Sequence, residues 1–175
     1  MSVIGFGDWP DSPQLTSERL SLEPLSVEHA TEMAPLLDDP RLHTFTGGSP
    51  DTPGELRGRY EQLVRGRSAD GSQRWFNWVV RLRQTAQVVG TTQATVIGAE
   101  GGDVAEVAWV IGVEHQGRGY AREGAVAMAT WLRQEGAQSL VAYIHPQHEA
   151  SMGVARALGL SPTDEVVDGE VRWVG

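Results

Sequence analysis

The sequence predicts a mixed α/β fold, with one central sheet of about six to seven strands flanked by about four helices. Three observations lead there. Short runs rich in Val, Ile, Leu and Trp alternate along the chain with segments whose apolar residues recur every three or four positions. The run from Val107 to Val113 passes through a polar turn with two glycines, Glu114-His115-Gln116-Gly117-Arg118-Gly119, directly into such a helical segment. The composition is that of a globular chain: 175 residues, 40% hydrophobic and 21% charged, enough for a core of its own.

Met1 to Pro13, rich in Gly, Pro, Asp and Ser, reads as an extended N-terminal arm. Phe6 and Trp9 could pin it to the body or to a second subunit. Alternation at Leu20, Leu22 and Pro24 marks a first strand over Arg19–Glu23. Ser26 is placed to cap a helix from Val27 to Leu37, with Ala30, Met33, Ala34 and Leu37 on one face. Pro35 should end or kink it, having no amide to donate. Residues 41 to 53 form a loop holding His43 and Phe45. Pro53 opens a second helix running to Arg67. After a polar turn at 68 to 73, Trp75–Leu82 and Gln87–Ile97 read as strands joined at Gln84-Thr85-Ala86. Gly90 marks a bend or a close backbone approach. The strand around Val107 follows.

From Tyr120 onward Ala121, Ala125, Met128 and Leu132 form an amphipathic helical stripe that stops near Gly136. Ser139–Ile144 is apolar enough to be a buried strand. Residues 145 to 151 lead into a helix that exits at Leu158-Gly159. A closing hairpin pairs Val166-Val167 with Val171–Val174 around Asp168-Gly169. No repeat or linker divides the chain, so residues 1–175 read as a single domain.

The formal net charge is −9 and the pI about 4.9, which argues against nucleic acid or an anionic membrane as partner and leans toward a cationic or amine substrate. Cysteine is absent, which removes disulfides, thiolate metal sites and a cysteine nucleophile. His29, His43, His115, His145 and His148 show no metal-binding spacing and no accompanying carboxylate cluster. No apolar run approaches the ~20 residues of a membrane span, and the N-terminus lacks the pattern of a leader, so a cytoplasmic protein is expected. A nucleophile-elbow G-x-S-x-G is missing.

The chemistry gathers around the glycine turn. A strand that feeds a glycine-containing turn and then a helix offers unpaired amides and the positive end of a helix dipole to an anion. Arg118 and Arg122 add formal charge beside it. Two glycines alone would make only a turn, but Gln116-Gly117-Arg118-Gly119-Tyr120-Ala121 fits Q/R-x-x-G-x-G/A. It resembles the acetyl-CoA-binding motif of the GNAT superfamily of N-acetyltransferases. Two further segments agree in order. Thr16, Arg19, Leu20, Leu22, Pro24 and Leu25 look like the opening of the RimJ/RimL branch. His148-Glu149-Ala150-Ser151, followed by Leu158-Gly159-Leu160, resembles the family's N-x-x-S…LGF segment, with His148 standing where Asn is usual.

That resemblance implies a mostly antiparallel GNAT sheet whose fourth and fifth strands splay apart. It also implies acetyl-CoA as co-substrate, without a metal. The pyrophosphate would sit on the amides of Gly117, Arg118, Gly119, Tyr120 and Ala121, with Gln116 and Arg122 beside them. The pantetheine would run along the strand past Ile111 toward Val113, with a backbone N–H near Ile111 as oxyanion donor. His148 would keep the role of the usual Asn or alter the pocket. His43 and Phe45 become acceptor-pocket candidates. Ser151 matches the serine that RimL-type enzymes place near the sulfur and is the candidate acid. Glu106, at the start of an apolar strand, is the candidate base, on the expectation that partial burial raises its pKa. The acceptor would be a small-molecule or peptide amine, attacked directly in a ternary complex. Another acyl donor such as succinyl-CoA, or a non-catalytic CoA-binding regulatory module, is the alternative. The aromatic arm and the Trp-rich second strand are compatible with a homodimer.

Overall fold

The computed structural model describes residues 7 to 175, so Phe6 lies outside the described residues. One sheet of eight strands runs through the molecule in the order β1-β2-β3-β4-β5-β6-β8-β7. The strands are β1 (Leu15–Thr16), β2 (Leu20–Pro24), β3 (Gln73–Leu82), β4 (Val88–Ile97), β5 (Val104–Ile111), β6 (Ser139–Ile144), β7 (Ser161–Val167) and β8 (Glu170–Val174). Four helices accompany them: α1 (His29–Leu37), α2 (Pro53–Leu63), α3 (Tyr120–Glu135) and α4 (Glu149–Ala157). Every neighbouring pair is antiparallel except β5 and β6. The extra strand, β1, has only two residues, too short for alternation to announce it.

Both faces of the sheet are covered. Along β3, Phe76, Trp78 and Val80 enter a core shared with Ala125, Met128 and Leu132 of α3 and with Val154 and Ala155 of α4. Val79 points the other way, into a second cluster with Ala30 and Met33 of α1 and Leu56 and Tyr60 of α2. This is the period of two that a strand imposes on its side chains. Trp9, Trp78 and Trp131 are all buried and packed edge-on or tilted in the first core. These tryptophans are therefore spent inside the fold.

Several boundaries move. Ser26 does not cap α1. Its backbone N–H donates to His29 Nδ1 at 2.9 Å, and Glu28 takes the N-cap position without a side-chain bond. Pro35 neither ends nor precedes a break in α1, which continues two residues to Leu37. The helix forgoes the one i→i−4 bond that Pro35 cannot donate. The second helix starts as expected, with a capping box between Thr52 and Glu55, but stops at Leu63 rather than Arg67. The chain turns there through Gly66, at φ 71°. The loop before it contains a 3-10 turn over Pro40–His43, held by the Asp39 side chain accepting from the Arg41 N–H. Past β5 a second 3-10 turn spans Val113–His115, so Val113 lies beyond the strand.

Gly90 does mark a close approach. A Cβ there would lie 2.0 Å from the Val110 carbonyl oxygen and 2.8 Å from Ile111 Cδ1. The β3–β4 register shifts beside it, at Val80/Arg81. This tight crossing of β4 and β5 fixes the end of the strand that carries the candidate site.

Candidate active site

The site is built where β5 and β6 part. Their parallel pairing covers only Val104↔Ser139, Ala105↔Leu140 and Glu106↔Val141, although β5 continues to Ile111 and β6 to Ile144. Gly112 donates its N–H to Val89 on the β4 side at 2.8 Å. Because backbone groups alternate along a strand, Ile111 and Trp109 present theirs to the opposite, opened edge. The Ile111 carbonyl accepts from Gln116 Nε2 at 2.9 Å, which shows its direction. The splay expected between these two strands is thus present. Gln116, proposed as a coenzyme contact, uses its side-chain amide to close the loop onto the strand end.

Beyond the 3-10 turn, Gly117 and Gly119 have φ of 77° and 81°, a left-handed backbone for which glycine is suited. Gly119 is the N-cap of α3 and provides no side-chain cap. Among the described residues, the backbone N–H groups of residues 117 to 122 make no hydrogen bond outside α3, and Glu123 is the first to donate back, to Gly119. Six successive amides at the positive end of a 16-residue helix form a cradle for an anion. Arg118 and Arg122 are exposed on its rim.

The turn is tied down by a residue a hundred positions earlier. Arg19 Nε pairs with Glu123 at 2.7 Å, its Nη1 donates to the Arg118 carbonyl at 2.9 Å, and its guanidinium lies 4.7 Å above the Tyr120 ring. Glu123 also accepts from the Ser17 hydroxyl and the Arg19 N–H. Tyr120 is thereby occupied on one face by Arg19.

Across the gap, Trp109 Nε1 donates to Ser151 Oγ at 3.3 Å. Ser151 sits in the first turn of α4 without capping it, and His148, the N-cap residue, provides no side-chain cap either. His148 Nε2 is 3.4 Å from Ser151 Oγ. The His148 ring stacks on Phe45, with centroids 4.4 Å apart and planes 15° apart, and His145 approaches Phe45 on another side at 5.2 Å. Burial, with a smaller contribution from the charge of His145, pushes the His148 imidazole below its ordinary pKa. Phe45 and His148, 103 positions apart in sequence, meet.

A cavity of about 270 Å³ opens between the sheet and the α1–α2 region. Asn77, Trp78, Thr91, Gln93, Ala108, Trp109 and Val110 form its floor, and Leu37, Leu42, His43, Asp51, Leu56, Arg59 and Tyr60 are among its other walls. Phe45 does not line it. The Tyr60 hydroxyl is buried with no hydrogen-bond partner among the described residues, and burial pushes its pKa up to about 12. Trp109 belongs to both halves, lining the cavity and holding Ser151. A wider groove of about 810 Å³ runs down the outer side of α3 from Arg19 and Gly119 toward Gln134.

Glu106 departs from expectation. It is exposed, on the face of β5 opposite the buried Ala105 and Val107, so the partial burial on which its role as base was expected to rest is missing. It does share a strand face with Ala108 and Val110 of the cavity floor, by the alternation of β5. Trp109 and Tyr60 were not singled out from sequence. An aromatic residue in a strand and one in a helix carry the same local signal as any core residue.

The family model for the GNAT acetyltransferase domain matches residues 19–161. No curated protein sequence matches significantly. An acetyltransferase from Agrobacterium tumefaciens is 25% identical, with 97% of each chain covered and a TM-score of 0.71. A Vibrio cholerae protein described as a ribosomal-protein-serine acetyltransferase is 17% identical, with 93% of this chain and 96% of that one covered and a TM-score of 0.66. The microcin C7 self-immunity acetyltransferase MccE, solved with acetyl-CoA and AMP, is 11% identical, with 91% and 93% covered and a TM-score of 0.71. The chain belongs to the GNAT family of acetyltransferases, and it is an N-acetyltransferase enzyme.

Proposed function

We propose that this enzyme transfers the acetyl group of acetyl-CoA to a primary amine held in the 270 Å³ cavity. The observation that carries the reading is the juxtaposition of three features. These are six free amides at the start of α3, an open strand edge leading away from them, and a cavity that shares Trp109 with that edge. Acetyl-CoA supplies a thioester whose carbonyl accepts a nucleophile and whose sulfur leaves. The amides of 117 to 122 would hold its pyrophosphate, with Arg118 and Arg122 alongside. The outward N–H of Ile111 or Trp109 would stabilise charge growing on the thioester oxygen. Ser151, near the mouth of the splay, would give a proton to the departing sulfur. Glu106 would take the amine proton through water, as its exposure dictates. His43, on the cavity wall, would contact the acceptor.

The cavity is small and its lining is mostly apolar with Asn77, Thr91 and Gln93 in its floor, which suits one amino-acid residue or a compact amine. A peptide N-terminus in the manner of the RimJ/RimL branch fits that description. The Vibrio cholerae neighbour and the Thr16-to-Leu25 segment support it. The acidic net charge favours an amine approaching as a cation.

The test is isothermal titration with acetyl-CoA on the wild type, on Gly119→Glu and on Arg122→Glu. The second variant is exposed and spares the turn's backbone. Micromolar binding that is lost in the first variant and weakened in the second supports the donor site. A panel of amino-acid amides, short peptides and polyamines then identifies the acceptor class. A folded wild type that does not bind acetyl-CoA, or that binds it and acetylates no amine, refutes the reading.

A further inference from the structure

Within the proposed function, which assigns Ser151 as proton donor to the sulfur, one residue has no role: His148. Its place in the site is specific. The indole N–H of Trp109 is a donor only, so it occupies a lone pair of Ser151 Oγ and leaves that hydroxyl one proton to give and one lone pair to fill. His148 Nε2, at 3.4 Å, is the group facing that second position. Separations of this length in an unliganded site commonly shorten when the reacting groups are bound. The stack on Phe45 holds the ring plane so that Nε2 faces the serine.

We propose that His148 is a positioning residue and proton relay behind Ser151. With Nε2 protonated it orients the serine hydroxyl toward the sulfur and resupplies its proton. Ser151 gives its hydroxyl proton to the departing sulfur as the acetyl carbon–sulfur bond breaks and the nitrogen–carbon bond forms. His148 passes its Nε2 proton to the serine oxygen and takes a proton at Nδ1 from water. Glu106 takes the amine proton through water and returns it to water, which balances the proton given to Nδ1. Exchange with water restores the tautomer, and no net charge accumulates on the protein.

Asn, the residue that the family resemblance leads one to expect here, can donate a hydrogen bond but cannot exchange a proton at neutral pH. An imidazole does both, with two distinct ring nitrogens. The half-buried setting fits a ring that is neutral at rest. Among the described residues, His145 is the one titratable group acting on it, from the turn that precedes α4, while Phe45 covers a face. His145 acts in turn on Glu170 of β8.

The test uses the whole chain and three variants: His148→Asn, Ser151→Ala and the double variant. The first readout does not need turnover. The His148 ring is titrated by NMR, with and without CoA, in the wild type and in Ser151→Ala. The relay predicts an imidazole that titrates below ~6.5 and whose Nε2 signal and midpoint move when the serine hydroxyl is removed. The second readout is kcat and KM against pH, with the amine selected by the panel. His148→Asn should leave acetyl-CoA affinity and KM within about twofold, lower kcat about tenfold at pH 7 and flatten one limb of the kcat profile, as expected for general acid–base participation. The double variant should be no slower than Ser151→Ala, because two members of one relay are not additive. An Nε2 signal indifferent to Ser151→Ala overturns the relay. So does a His148→Asn enzyme with wild-type kcat and pH profile. In both cases acetyl-CoA binding to the wild type leaves the proposed function standing. Absence of that binding brings down the proposed function, and the relay with it.

Discussion

Gly90→Ala tests whether the active-site end of β5 is set by a steric fit. Gly90 pairs with Ile111, and a Cβ there would meet the Val110 carbonyl oxygen at 2.0 Å and Ile111 Cα at 3.0 Å. Gly90 has no left-handed φ, so the substitution introduces no dihedral strain and the clash is the whole effect. Relief needs a movement of about 1 Å between strands that normally lie ~4.8 Å apart. The obstacle is backbone, which cannot swing away as a side-chain tip can. Such a movement stretches the Gly112-to-Val89 bond, now 2.8 Å, and its neighbours past the useful range. Overpacking costs about 1–3 kcal/mol, and two or three weakened ladder bonds add roughly 0.5–1.5 kcal/mol each.

A loss of about 2–7 kcal/mol is therefore expected, equivalent to a Tm fall of roughly 4–30 °C in a chain of this size. Urea or thermal unfolding reads it. Acetyl-CoA affinity, measured well below the variant's Tm, should also weaken, because the displaced residues lead directly into the open edge. Gly58→Ala is the internal contrast. It sits within α2 with nothing within 4 Å of its Cβ, and should gain about 0.5–1 kcal/mol from helix propensity. A Gly90→Ala protein within about 1 kcal/mol of the wild type would refute the idea that close approach selects glycine here.

Other perturbations separate further parts of the structure. Thr52→Ala removes half of the capping box of α2 and should cost about 1 kcal/mol in urea unfolding, with little effect on acetyl-CoA binding. Tyr60→Phe deletes a buried hydroxyl that lacks a partner, so stability should rise by about 1 kcal/mol, while KM for the amine should increase if that hydroxyl meets the acceptor. Glu123 is held below the usual carboxylate pKa. Burial works against this, but the Ser17 and Arg19 bonds outweigh it. A depressed folded-state pKa contributes stability above the unfolded value, near 4.5, and loses it as pH falls through the folded one. Wild type should thus exceed Glu123→Gln in Tm at pH 7, with the difference shrinking as pH falls from the unfolded value through the depressed folded one. A constant difference across that window would show that the carboxylate's charge is not what matters. The Arg19 side of the pair is 44% exposed, so screening makes the effect modest and salt should reduce it.

The donor half of the site was legible because it is local. A strand, two glycines and a helix start occupy one contiguous stretch, and their function depends on backbone amides whose geometry the glycines dictate. The strand–helix succession was legible for the same reason, through periods of two and 3.6. What failed to show was whatever depends on contacts across the chain. Ser26 has the residue type of a cap, but the ring of His29 takes its N–H. Glu106 looked half-buried from its apolar neighbours, yet it stands on the exposed face of β5, opposite the buried Ala105 and Val107. The clamp of Arg19 on the glycine turn spans about a hundred positions, and the sequence marked Arg19 only as part of a strand and of the RimJ/RimL-like opening. Phe45 was named for the acceptor pocket, but the fold places it against His148 instead, outside the cavity. His145 joins it there.

Trp109 shows why the acceptor half resists sequence reading. Trp109 borders the cavity at the strand while its indole N–H reaches Ser151 across the opened edge, so acceptor and donor halves meet at a single residue. Its apolar area would be satisfied by Phe, and its position in β5 by any strand former. Only the N–H distinguishes it, and that matters only because β6 has moved away and α4 has brought a serine within 3.3 Å. A conservative Trp109→Phe change would keep the cavity floor and the strand while freeing a lone pair on Ser151. The serine would then be less firmly aimed, and the consequence should appear in kcat rather than in amine KM. The same change at Trp78, whose Nε1 donates to the Pro13 carbonyl within the core, should instead appear in stability. Two tryptophans of one sheet thus serve different ends, and what separates them is what their indole N–H meets after folding.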